Sequence, residues 1–294
     1  YGSKVLIQAF KRSAIKVHAI SSRDFKKAKH LAFKNNIKKF YTNWKNLILD
    51  HEVDIVAIAV PPVFQLEMIS FCLKYNKKIF AEKPMGINNK KITELCYKLR
   101  ENKNSFLMDY IYSEHYAFKK FKSFIKARKF YSNDKVYVDF NLKKTNYKNS
   151  KMNWKADEHL GGGIINLYMP HIVDYLINFF GNILSVKCNT RNKNNLQAIF
   201  KFKTGLTGII NINKNDKKML HSVKYYSKKY NLYLVNTNND FCDGFKIKFI
   251  NKFKKVKKNR YIEYRNIFFN KLNDNRISLS SRLINKFKIK LKNS

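Results

Sequence analysis

Two short stretches carry side chains suited to holding charge and moving protons. In the first, Ile79–Gly86 (IFAEKPMG), Glu82, Lys83 and Pro84 follow directly on an apolar run. A lysine at the end of a buried strand can hold a substrate hydroxyl and stabilise an oxyanion developing on it as hydride leaves. The proline behind it permits a cis bond, which would fix the lysine's direction. With 51 lysines in the chain, any one of them belongs by default to a solvated face, and only its place after the strand singles out Lys83. In the second stretch, Asn153–Gly181, three consecutive glycines (Gly161, Gly162, Gly163) open a helix carrying His171, with Asp174 three residues on. Glycines there allow close backbone approach to a ligand, and histidine is the natural proton carrier near pH 7. A histidine on an otherwise apolar helix is also a common core residue, so both readings stay open.

Two weaker signals lie nearer the start. Gly2, Ser3 and Lys4 form a small-residue turn that opens a helix, the position at which a dinucleotide-binding unit seats a pyrophosphate. A single glycine before a helix is more often only a turn. At the end of the next strand stand Ser22 and Arg23. An acidic residue here would hold the ribose hydroxyls of NAD, whereas Ser and Arg suit a 2′-phosphate and favour NADP. A plain helix cap with a solvated arginine is the alternative.

The elements that must position these residues follow from periodicity. Up to about residue 112, strand and helix patterns alternate: strands at Ile15–Ser21, Val53–Val60, 77–82 and 105–112, with helices between them. Val53–Val60 is nearly all apolar, as in a strand buried on both faces of a parallel sheet. This repetition predicts βαβ units and a doubly wound sheet over residues 1–112, with ligands at the carboxyl ends of its strands. From 113 to 294 the pattern becomes an α+β one: one helix, seven strand candidates that mostly alternate apolar and polar residues, the helix from about Gly163 to Phe180, and an amphipathic helix from Ser278 to Leu291. An open, mainly antiparallel sheet is expected there.

Composition bounds the rest. The 294 residues include 60 basic and 20 acidic ones, a net charge of +40, with 45% hydrophobic residues. Only 9 of the basic residues are arginine, and the lysines are spread along the chain. A dedicated phosphate reader would use more of the bidentate arginine fork. The abundance of Lys, Asn, Ile, Phe and Tyr together matches an AT-rich coding bias, so nucleic acid is not the expected partner. Cys72, Cys96, Cys188 and Cys242 stand apart without a C-x-x-C pair and are expected as free thiols, in keeping with a cytoplasmic location. No apolar run approaches the roughly 18 residues of a membrane span.

Taken in order, VDIVAIAVPP, AEKP and GGG…H…D resemble the glucose–fructose oxidoreductase/inositol dehydrogenase (Gfo/Idh/MocA) family over nearly the whole chain, and NWK before the glycines resembles one of its subgroups. The resemblance implies a Rossmann-type domain, an NAD(P) cofactor, and oxidation or reduction of a sugar, polyol or nucleotide sugar. It places Gly2, Ser3 and Lys4 at the phosphate turn, and Ser22 and Arg23 at the adenosine ribose. Val60, Pro61, Pro62 and Gln65 fall in the loop facing the cofactor. Glu82 and Lys83 match the motif with the catalytic lysine, Trp154 and Lys155 fall near the cofactor, and His171 matches the catalytic histidine. Tyr112, Lys155, Asp157 and Tyr168 are substrate-contact candidates. Pairing of copies through the second-domain sheet is also implied. Two departures stand out. Leu167 occupies the place of the family's acidic partner, four residues before His171. The family's first strand and first two fingerprint glycines are absent from the sequence, so it reads as an N-terminally incomplete copy whose two neighbouring strands would keep unpaired edges. A non-catalytic dinucleotide-binding protein and a basic polyanion binder are the alternatives.

Overall fold

The computed structural model describes residues 1–101, 106–126, 130–143, 154–192, 194–240, 242–251, 266–268 and 275–292. They fall in two compact units. One comprises Tyr1–Ile111, Trp154–Gly162 and Arg276–Ser294; the other comprises Tyr112–Asn153 and Gly163–Asn275.

In the first unit a π-helical turn, Gly2–Leu6, runs into α1 (Ile7–Arg12). Strands and helices then alternate: β1 (Ala19–Ser21), α2 (Phe25–Lys34), β2 (Lys39–Tyr41), α3 (Trp44–Leu49), β3 (Ile55–Ile58), α4 (Pro62–Lys74), β4 (Lys78–Ala81), α5 (Asn89–Glu101) and β5 (Phe106–Met108). Local chemistry sets the starts of the helices. The Asp24 carboxylate accepts from Lys27 N at 3.0 Å and caps α2, Asn43 caps α3, and Pro62 opens α4 at a position that needs no N–H. Every strand pair is parallel. The core holds Ile58, Ile69, Cys72, Ile79, Ala81 and Leu95. The parallel strands form two separate ladders, β1–β2 and β3–β4–β5. Among the described residues nothing pairs with the far edges of β1 and β3.

In the second unit the strands are β6 (Lys135–Lys143), β7 (Ile183–Asn192), β8 (Asn195–Phe202), β9 (Thr207–Asp216), β10 (Leu220–Tyr226), β11 (Tyr230–Asn236), β12 (Lys246–Asn251) and β13 (Asn266–Phe268). They form one sheet in the order β13-β12-β11-β10-β6-β9-β8-β7. All neighbours are antiparallel except β6 and β9. β13 was not anticipated, because three residues cannot display a period. β6 buries Val136, Val138, Phe140 and Leu142 in strict alternation. Helices α6 (Tyr116–Lys126) and α7 (Gly163–Phe180) supply Phe118, Phe121, Ile172, Tyr175, Leu176 and Phe179, all buried. The Phe121 and Phe179 rings meet at 4.7 Å. Each such side chain stabilises the unit by about 1.5–3 kcal/mol.

The expected division at 112/113 needs correction at two places. The segment Trp154–Gly162 and the C-terminal helix, Arg276–Lys292, pack with the first unit. That helix buries Leu279, Leu283, Ile284 and Phe287. It is tied to the end of α1 by Ser13 Oγ and Ser281 Oγ at 2.9 Å, and by Arg12 to Ser278 at 3.1 Å. The four cysteines are free, Cys72 and Cys242 buried and Cys188 exposed. No helix among the described residues is long and apolar enough to cross a membrane.

Candidate active site

The carboxyl ends of β3, β4 and β5 align, because Ile58, Ala81 and Met108 are register partners. The residues that follow are therefore neighbours. Glu82 N donates to Ile58 O at 2.9 Å and Asp109 N to Ala81 O at 2.8 Å, which carries the ladder one residue further. Two carboxyl groups thus sit side by side. Burial, and then the charge of Asp109, raises the proton affinity of Glu82 well above the ordinary carboxylate range. Burial pushes Asp109 up to about 6. Like charges this close do not both ionise, so near neutral pH the pair shares one proton. Asp109 Oδ2 accepts from Tyr1 Oη at 2.9 Å and from Ser280 Oγ at 3.3 Å. Lys83 is half-buried beside this pair. Burial pulls its ammonium down to about 8, against the attraction of Glu82 and Asp109; the positive charge of Lys155 adds to the lowering. Asp109, Tyr1 and Ser280 were not singled out from sequence. Asp109 was legible, since it follows β5 as Glu82 follows β4. Ser280 was not, because its helix was read into the other half of the chain.

The loop that follows β3 is tied to the lysine segment by one side chain. Gln65, fully buried on α4, donates from Nε2 to Pro84 O at 3.0 Å and to Val60 O at 3.4 Å. The Lys83–Pro84 bond is cis. The buried Oε1 of Gln65 has no hydrogen-bond partner among the described residues. Pro62 touches the glycine segment. A Cβ on Gly161, whose φ is +88°, would lie 2.5 Å from Pro62 Cβ, and a Cβ on Gly162 would collide with the carbonyl oxygen of Trp154. These two glycines are needed for packing against their own unit. Asp157 Oδ1 accepts from His159 N at 2.9 Å and caps the turn Glu158–Leu160.

The first helical turn lies against the same region. A Cβ on Gly2 would stand 3.4 Å from Ala59 Cβ. The first intrahelical donors are Lys4 N and Val5 N, both to Tyr1 O, so the amides of Gly2 and Ser3 precede the ladder, as at any helix start. Ser22 N donates to Tyr41 O at 3.0 Å, and Arg23 is exposed with its guanidinium 5.7 Å from the Phe64 ring. Asp24, the nearest carboxylate in sequence, is committed to capping α2. The helix-start amides, the hydroxyls of Ser3 and Ser22 and the cations of Lys4 and Arg23 are donors of the kind that fits a phosphate-bearing dinucleotide, and the orphaned Gln65 oxygen is an acceptor.

The second unit carries His171 and its surroundings. His171 lies mid-way along α7, half-buried, its ring 5.2 Å from the Tyr112 ring. Tyr112 is 3% exposed and also stacks on Phe118 at 4.7 Å. That burial removes it from direct substrate contact and makes it a wall for His171. Tyr168 is half-buried, 5.3 Å from Phe140. Leu167 is buried. Asp174 is half-buried, and burial raises it to about 6; its Oδ2 has no hydrogen-bond partner among the described residues.

A profile of the oxidoreductase family with NAD-binding Rossmann fold (Gfo/Idh/MocA) matches residues 1–110. Over these residues the chain is similar to the Gfo/Idh/MocA family. An uncharacterized oxidoreductase of Synechocystis sp. is 25% identical over 250 residues, 78% of this chain and 67% of that protein. The trans-1,2-dihydrobenzene-1,2-diol dehydrogenase of Xenopus tropicalis is 35% identical over 101 residues, 34% of this chain and 30% of that enzyme; the match spans under a third of the relative's length. The apo form of levoglucosan dehydrogenase shares the fold at a TM-score of 0.80, with 12% identity over 99% of this chain and 88% of that one. A complex of levoglucosan dehydrogenase with NADH and L-sorbose gives 0.76 at 13% identity, covering 96% and 84%. The Gfo/Idh/MocA match therefore covers the stretch of the first unit that holds Glu82, Lys83 and Gln65.

Proposed function

We propose that this chain is an NAD(P)-dependent dehydrogenase or reductase that interconverts a secondary alcohol and a ketone on a sugar-like substrate. The observation that carries the reading is Lys83, an ammonium lowered to about 8 at the carboxyl end of a parallel sheet, beside a carboxyl pair that holds a single negative charge. When bound, the nicotinamide supplies the hydride chemistry. Lys83 holds the substrate oxygen and stabilises negative charge on it. His171 is the proposed proton carrier. Gln65 fixes the two loops that bracket Lys83, and the Glu82–Asp109 pair sets its charge. The phosphates are assigned to Gly2, Ser3 and Lys4, and the adenosine ribose to Ser22 and Arg23. NADP is favoured over NAD because Asp24 is engaged as a cap. Val60, Pro61, Pro62, Trp154 and Lys155 are assigned to the cofactor's flank, Tyr168 and Asp157 to the substrate's. A second copy is proposed to pair through the second-unit sheet, whose edge strand β7 exposes Leu184 and Val186.

The test is turnover of a panel of sugars and polyols with NADP and NAD. Lys83→Ala is expected to lower kcat about 10²–10³-fold, and His171→Ala about 10²–10⁴-fold, with cofactor affinity retained. The buried Leu167 in the acidic partner's place favours one rival, a dinucleotide-binding protein without turnover. Tight cofactor binding with no turnover across the panel would establish that rival.

A further inference from the structure

A second cluster of ligating side chains lies at the opposite, amino-terminal edge of the parallel strands. His18 immediately precedes β1, and Asp50 and Glu52 lie between α3 and β3. One ligand atom from each falls within 4.8 Å of the other two. We infer that His18, Asp50 and Glu52 form a binding site for a divalent transition-metal ion, of which zinc is the best fit.

The distances carry the argument. His18 Nε2 lies 3.5 Å from Asp50 Oδ2 and 3.3 Å from Glu52 Oε2. Metal–ligand bonds of about 2.0–2.1 Å in a tetrahedral zinc site put neighbouring donor atoms about 3.3–3.4 Å apart. Two edges of the triangle already have that length. His18 is only 9% exposed, yet its Nε2 has no hydrogen-bond partner among the described residues. Both carboxylates are near enough, but neither lies where a hydrogen bond from the ring would form. The imidazole edge is thus buried and aimed between two anionic oxygens without being used by them.

The carboxylate is already held in place, as metal ligands usually are by their own hydrogen bonds. Asp50 Oδ2 accepts from Tyr41 Oη at 2.9 Å, and Asp50 Oδ1 accepts from Glu52 N at 3.0 Å. Lys77 Nζ pins the backbone there, donating to Asp50 O at 2.9 Å and Val53 O at 2.6 Å. Glu52 is 45% exposed, which leaves a side open for water as a fourth ligand. The same two oxygens also attract a cation of the protein's own. Lys39 Nζ stands 3.3 Å from Asp50 Oδ2 and 2.7 Å from Glu52 Oε2. That ammonium marks where positive charge is stabilised, and it must swing out when the ion binds. At 39% exposure it can do so. One imidazole with two carboxylates suits zinc over magnesium or calcium, which take oxygen ligands.

The experiment is calorimetric titration of the metal-stripped full chain with zinc chloride, and in parallel with magnesium chloride. One saturable zinc site is expected, with no comparable magnesium binding. His18→Gln and, independently, the exposed Glu52→Gln should each weaken binding at least tenfold. Lys39→Ala should tighten it, because the resident competitor is gone; an ion-pair network with no metal role predicts no zinc site in either protein. Zinc should raise the melting temperature of wild type and of Lys39→Ala, but not of Glu52→Gln. Absence of a saturable site in both wild type and Lys39→Ala would overturn the inference, as would unchanged binding in both His18→Gln and Glu52→Gln.

Discussion

Lys83 is tuned by its neighbours more than by its own type. Its charge is set by burial working against a carboxyl pair, and this has a measurable sign. Asp109 binds its proton near pH 6 in the fold, against 3.8 when unperturbed. Between those values the folded chain keeps a proton that the unfolded chain has released. Its contribution to stability is thus full below 3.8 and is lost as pH rises through about 6. Asp109→Asn, which does not titrate, is expected to flatten this part of the stability–pH curve in denaturant melts. The same substitution removes an attraction on Lys83, so the inflection near pH 8 in kcat/KM should move downward; an unmoved inflection would separate Asp109 from Lys83. Sequence alone made Glu82 and Lys83 visible through the apolar strand before them. The Tyr1 and Ser280 hydroxyls stayed hidden, because nothing local marks two residues that meet only through tertiary packing.

At the scale of elements, most of the fold was legible where a period or a cap is strong. Four of the five parallel strands, the helix α2 and the alternation along β6 are cases in point, whereas β2, only three residues long, was not expected. The strand expected over Ile15–Ser21 shortens to Ala19–Ser21, since its apolar run carries no marker of where pairing begins. The triple glycine was seen but its use was not. Whether a glycine serves a ligand or its own unit depends on a partner, here Pro62, that lies far away in sequence. Gly161→Ala is expected to cost about 2–4 kcal/mol, from a left-handed backbone and overpacking against Pro62. Gly181→Ala has a similar φ, +87°, but its Cβ would meet nothing nearer than Thr204 at 3.9 Å, so a cost of about 1–2 kcal/mol is expected. Chemical denaturation of the two variants, compared side by side, checks the difference.

For the whole molecule, a net charge of +40 is expected to produce retention on any polyanion. Heparin, DNA and RNA should hold the protein equally, and moderate salt should release it from all three; salt-resistant preference for one of them would reveal a dedicated site. The first unit, for its part, is assembled from three separate stretches of chain. Tyr1 and Ser280, 279 positions apart, settle on the same carboxylate oxygen. During synthesis, then, the surroundings of Asp109 stay unfinished until the segment around Ser280 has left the ribosome. A gene cut after residue 112 would yield a fragment lacking the wall that seals its own interior.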